Sequence, residues 1–71
     1  MIKLFLLRDK NGHFVANQGI SKFPQDARVF NTENDAEDWK DDNYAQYKNF
    51  DVVEMCFTVD DCSKFKNYNP D

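Results

Sequence analysis

The chain has little of what covalent staples and catalytic centres are made from. Its 71 residues include two cysteines, two glycines, two prolines and one histidine. Two cysteines cannot make the disulfide framework of a small secreted domain. Cys56 falls in an expected strand with Cys62 just beyond it, so a bridge would need the chain to double back within a few residues. Two free thiols and a cytoplasmic location are therefore expected. The longest apolar run near the start, "LFLL", is too short for a signal-peptide core or a membrane span. Basic charge is also scarce: the net charge is −4, which argues against gripping phosphate backbones and hence against direct nucleic-acid binding.

The same scarcity argues against catalysis. Nucleophilic chemistry needs an activated nucleophile and an oriented base. The single His13 stands beside a turn, the thiols are Cys56 and Cys62, and neither Ser21 nor Ser63 lies in a nucleophile motif. Glu54, the most isolated acid, has no sequence feature marking the apolar pocket that a raised-pKa carboxyl acid would need. "DKNG" matches only a fragment of a calcium loop, lacking the alternating oxygen ligands and the closing Glu. Asp38 with Asp42, or Glu33 with Glu37, would hold a divalent ion only weakly at the surface. No catalytic residue, cofactor or resident metal is expected.

Aromatic side chains, by contrast, are plentiful: seven Phe, three Tyr and Trp39. A chain this short buries only about 60% of its unfolded surface, so it forms one domain with a small core, and large aromatic groups let that core fold without staples.

"MIKLFLLRDKNGHFVANQG" reads as a β-hairpin around "DKNG". Its turn is either a two-residue loop on Asn11-Gly12 or a type I turn opened by Asp9 with Gly12 left-handed in a bulge. The bulged form pairs Asp9 with His13 and Arg8 with Phe14, placing Ile2, Leu4, Leu6, Phe14 and Ala16 on one face. The other face then carries Lys3, Phe5, Leu7, His13 and Val15, too apolar to be fully solvated. Either the chain's own 20–30 loop or C-terminal tail covers it, or it is a dimer or partner interface.

"GISKFPQ" is a connection that Phe23 is expected to anchor, and "ARVFN" is a short strand or extended segment. Thr32 then reads as a helix N-cap, with Glu33 and Asp35 in the first turn suiting the helix dipole. Ala36 and Trp39 share one face of this helix, with Asn43 and Tyr47 continuing the stripe, and the helix should end near Asp42-Asn43. "YAQYKNF" continues as a turn or short helix. "DVVEMCFTV" alternates as a strand, Val53, Met55, Phe57 and Val59 on one side and Glu54, Cys56 and Thr58 on the other. The polar end, with Phe65 and Tyr68 as candidate anchors, is a frayed tail or a short helix capped by Asp60 or Asp61. The expected fold is α+β: an antiparallel sheet of three or four strands with one main helix packed across one face, in a domain of residues 1–59 followed by a tail of residues 60–71.

The charge is concentrated. Glu33, Asp35, Glu37, Asp38, Asp41 and Asp42 oppose only Lys40, so residues 33–42 carry −5 and the rest of the chain +1. A solvated face that keeps a small protein soluble would have this composition. Yet like charges at i,i+4, and acids at a helix C-terminus, each cost a few tenths of a kcal/mol or more, so stability alone would not place them there. Glu37, Asp38, Asp41, Asp42 and Tyr44 would suit a basic groove, with Phe5 or Leu7 as an apolar complement.

The segments "LRDKNGHFV", "DARVFNTENDAEDW" and "DVVEM" resemble a pattern in small proteins encoded by phages and prophages, chiefly of Gram-positive bacteria. There a Gly-turn hairpin precedes an A-x-x-F segment, a Thr- or Ser-capped helix with A-x-x-W, and a closing strand. Ala27, Phe30, Thr32, Ala36 and Trp39 occupy those places, and the match covers roughly residues 3 to 57. The resemblance implies the architecture and carries no catalytic residues. Some small acidic phage proteins inhibit host enzymes, defence nucleases among them. The expectation is a non-enzymatic inhibitor of a host protein with a basic surface, with a homodimer as a further possibility. The rival readings are a homo-oligomer sequestering a small charged ligand such as a signalling nucleotide, through Arg8, Lys22, Arg28, Lys64 and Lys66, and a purely structural or assembly role.

Overall fold

A computed structural model describes residues 1–17, 19–65 and 68. The strands are β1 (Ile2–Arg8), β2 (Phe14–Val15), β3 (Ile20–Ser21) and β4 (Asp51–Phe57). The helices are α1 (Glu33–Asp42), α2 (Tyr44–Tyr47) and α3 (Val59–Cys62), with a 3-10 turn at Pro24–Asp26. The four strands form one antiparallel sheet in the order β3-β2-β1-β4, and α1 is the main helix, so the fold is α+β.

The hairpin takes the bulged register. Asp9 N–H donates to the His13 carbonyl at 2.9 Å, Arg8 pairs with Phe14, and Gly12 N–H donates to the Asp9 carbonyl at 3.2 Å. Gly12 sits at φ +85°, where a side chain would be strained, which is why glycine holds that place. The Asp9 carboxylate braces the turn from inside, its Oδ1 accepting from the N–H groups of Asn11 and His13 at 2.9 Å each.

After Phe14 the hairpin strands part, and the "ARVF" segment enters the gap. Phe5 and Phe30 exchange both backbone hydrogen bonds, Arg28 N–H donates to the Val15 carbonyl, and Ala27 pairs with Ala16. The 3-10 turn leading into this segment is tied by Ser21 Oγ–H donating to Asp26 Oδ2 at 3.1 Å. Phe23, expected to anchor the connection, instead points into solvent, because that polar bond and Pro24 already fix the chain's course.

Both sheet faces are covered. Leu4, Leu6 and Phe14 on one face meet Ala27, Val29, Cys62 and Phe65, with Val53, Met55 and Phe57 packed alongside. On the other face Leu7, Val15 and Phe50 lie with Val52 against Phe30, Trp39 and Tyr47. The apolar second face of β1 is thus roofed mainly by α1 and α2, with Phe30 of the 20–30 segment beside them, and the C-terminal segment roofs the first; the sequence left the second face to the 20–30 loop, the tail, or a dimer or partner interface. A ladder of rings seats α1: Phe30 to Trp39 at 6.2 Å, Trp39 to Tyr47 at 5.2 Å and Tyr47 to Phe50 at 5.5 Å between centroids.

Of the two expected forms of the chain end the structure shows the short helix, with a different cap. Thr58, with its hydroxyl accepting from Asp61 N–H at 3.1 Å, is the N-cap of α3, in place of Asp60 or Asp61. That cap ends the strand, so Val59 starts a helix and is exposed rather than continuing the Val53, Met55, Phe57 stripe. Because α3 crosses residue 59 and delivers Cys62 and Phe65 to the core, part of the expected tail belongs to the domain body. Lys66, Asn67, Asn69, Pro70 and Asp71 of that tail lie outside the described residues.

Candidate functional site

The acid cluster begins with a cap. Thr32 Oγ1 accepts from Asp35 N–H at 3.1 Å, starting α1 at Glu33 as its sequence predicts. Asn43 closes it, its N–H donating to the Trp39 and Lys40 carbonyls and its Nδ2 to the Trp39 carbonyl at 2.8 Å. Between these caps Ala36 is buried and Trp39 half-buried against the ring ladder. Rotation by 100° per residue then leaves Glu33, Asp35, Glu37, Asp38, Asp41 and Asp42 outside, and all six are exposed.

Among the described residues none of these six carboxylates is in an ion pair; the pairs formed are Lys3–Glu54, His13–Asp9 and Lys64–Asp61. The helix therefore shows an acid face without ion-pair partners among the described residues, its opposite side seated on the ring ladder. Tyr44, the first residue of α2, lies just past Asp42 and is 56% exposed. Glu37, Asp38, Asp41, Asp42 and Tyr44 thus all lie on the surface around one helix and its C-terminal junction.

The two apolar candidates do not join them as expected. Leu7 is fully buried beneath the α1 layer and supplies no partner surface. Phe5 is half-buried, its backbone held between Phe30 on one side and Glu54 on the other. The apolar face that suggested a partner is a second core.

Other constellations stay apart. His13 lies opposite Asp9 at the turn end of β1, whereas Cys56 pairs with Lys3 near its start, roughly 20 Å away at strand rise. Cys62 is buried, and burial, reinforced by the neighbouring Asp61 carboxylate, raises its thiol pKa. Arg8 rests on the Phe14 ring and Arg28 on the Trp39 ring, which belong to the two different core layers, while Lys64 pairs with Asp61. Those three cations do not converge; Lys66 lies outside the described residues. Among the described residues no group of three or more His, Cys, Asp or Glu is placed to hold a metal ion, and no helix is long and apolar enough to cross a membrane.

The described residues line grooves on the surface. One of about 370 Å³ is lined by Pro24, Gln25, Phe57, Asp61, Lys64 and Phe65, another of about 350 Å³ by Asp9, Lys10, Asn11, Asn49 and Asp51. Sequence reasoning did not find the seat of Arg28 on Trp39, since eleven residues and an element boundary separate them. Comparison with protein-family models, with curated proteins and with solved structures finds no match.

Proposed function

We propose that this is a non-enzymatic, phage-type binding protein that docks the acid face of α1 onto a basic surface of a host protein in the cytoplasm and inhibits it. The observation that carries the reading is six exposed carboxylates without an ion-pair partner among the described residues, on a helix whose opposite side is locked by Trp39. Such a face attracts a basic groove over roughly a Debye length, about 8 Å at physiological salt, and steers association. Glu37, Asp38, Asp41 and Asp42 supply the charge and Tyr44 an amphipathic ring. Phe5 contributes at most at its margin, and Leu7 belongs to the core.

The test compares wild type with the triple variant Asp38→Asn, Asp41→Asn, Asp42→Asn in affinity capture from Gram-positive lysate at low and moderate salt. One dominant basic partner, lost as salt rises and lost in the variant, is expected, and the wild type should inhibit that purified partner. Equal capture by the variant at every salt concentration removes the acid-face reading.

A further inference from the structure

The phase of the sheet ladder exposes a second surface. Phe5 exchanges both of its backbone hydrogen bonds with Phe30, at 2.9 and 2.8 Å, so its N–H and C=O point away from β4. In an antiparallel ladder hydrogen-bonded and non-hydrogen-bonded pairs alternate. Phe5–Glu54 is thereby a non-hydrogen-bonded pair, as are Lys3–Cys56 and Leu7–Val52, and the pairs of Ile2, Leu4, Leu6 and Arg8 carry the β1–β4 bonds. It follows that Val52, Glu54 and Cys56 turn their N–H and C=O outward, at the free edge of the sheet. Among the described residues no hydrogen bond meets those backbone groups.

Beyond the charges of Asp51 and Glu54, this edge lacks the usual protection. It is seven residues long, has no proline, shows an unbroken register against β1, and is rich in strand-forming side chains. On one side Val53, Met55 and Phe57 form a half-buried apolar stripe that stops at the edge. The edge at the other end of the sheet, β3, has two residues.

We propose that β4 is a homodimer interface, pairing antiparallel with β4 of a second copy about a two-fold axis through Met55. Self-pairing of one strand is isologous and closes on itself. Charge selects the register. An axis through Glu54 would give the longest overlap but set Glu54 against Glu54 of the second copy, a like-charge pair. An axis through Val53 would set Asp51 against Met55. With the axis at Met55, Val53 faces Phe57 of the second copy, so the two apolar stripes join. Glu54 then faces Cys56, whose neighbour on β1 is Lys3, so the Lys3–Glu54 pair within each copy sets a cation, in place of a second acid, on the side each Glu54 approaches. Glu54 and Cys56 exchange the central hydrogen bonds. A ladder this short buries less than a standard interface, so the dimer is concentration-dependent. Two chains of net charge −4 repel, so added salt tightens it, opposite in sign to binding through the acid helix. The dimer and the acid-face reading rest on different observations and fail separately.

Sedimentation of the wild-type chain over a concentration series, at low and moderate salt, is the first test. A mass rising toward twice that of one chain, at lower concentration when salt is added, is expected; a single-chain mass throughout overturns the dimer. The second test is Glu54→Cys with native Cys56, which places two thiols opposite each other across the axis. Mild oxidation should give a reducible covalent dimer of this variant, while Glu37→Cys, exposed on α1, should not exceed wild type. A dimer in sedimentation whose Glu54→Cys variant cross-links no more than the Glu37→Cys control overturns the β4 pairing.

Discussion

The guanidinium of Arg28 stands 5.5 Å from the centre of the Trp39 ring, on the carboxylate-rich helix α1, and pairs with none of that helix's acids. Its backbone is pinned by the bond to the Val15 carbonyl, and its Nε is buried with no hydrogen-bond partner. The ring attracts the cation by about 0.5–2 kcal/mol, while an unsatisfied buried donor costs about 1–3 kcal/mol. The two nearly cancel. Arg28→Met keeps the apolar stem on Trp39 and removes the orphan donor, so its stability in urea unfolding should lie within about 1 kcal/mol of wild type. Arg28→Ala, which also strips the stem, should be the less stable of the two.

Leu7 tests the second core. Leu7→Ala opens a cavity in the layer shared with Val15 and Phe50, and should cost about 2–5 kcal/mol. Its unfolding midpoint in denaturant should fall at unchanged slope, and salt-dependent capture by the fraction still folded should match wild type. A stability loss near zero would place Leu7 on the surface.

The chain end is equally part of the body. Phe65 packs edge-on to Phe57 with ring centroids 4.9 Å apart, and Phe65→Ala should cost about 3–5 kcal/mol. Thr58→Ala, which removes the α3 cap, should cost about 1 kcal/mol. Thiol reagents report the same packing: Cys56 is exposed and should react at once. Cys62, buried and with its pKa raised by that burial, should react only as the chain opens.

Asp9 sets an acid-side pH dependence. The His13 backbone N–H, aided by that of Asn11, holds its carboxyl below the ordinary 3.8. A lowered folded pKa means that its contribution is complete above 3.8 and is lost as pH falls through the folded value. The stability gap between wild type and Asp9→Asn should therefore be constant near neutral pH and shrink below 3.8. An NMR titration should place the Asp9 midpoint under that value.

What was legible in the sequence was local. Asp9 and Gly12 announced a turn, because side-chain acceptors and positive φ are short-range demands, but left two forms of it open until the Asp9–His13 bond chose the bulged one. Thr32, Ala36 and Trp39 announced the helix, its start and its buried side by cap chemistry and period. The alternation in "DVVEMCF" announced β4.

Those same residues left the partners of each surface open. Leu7 and Val15 are apolar whether a helix of the same chain or another protein covers them, and only the packing of Trp39, Tyr47 and Phe50 decides for the helix. The acids of α1 are outside because the Ala36–Trp39 side is inside, a consequence of period alone. Which backbone groups of β4 face outward depends on the bond between Phe5 and Phe30, twenty-five residues apart. The sequence by itself determined where the hairpin turns, the Thr32 cap and the amphipathic periods, since these arise from neighbours along the chain. Tertiary structure alone decided which layer roofs which face, whether Leu7 and Phe65 are core, and which sheet edge stays open. Those outcomes depend on contacts between segments that composition and spacing do not order.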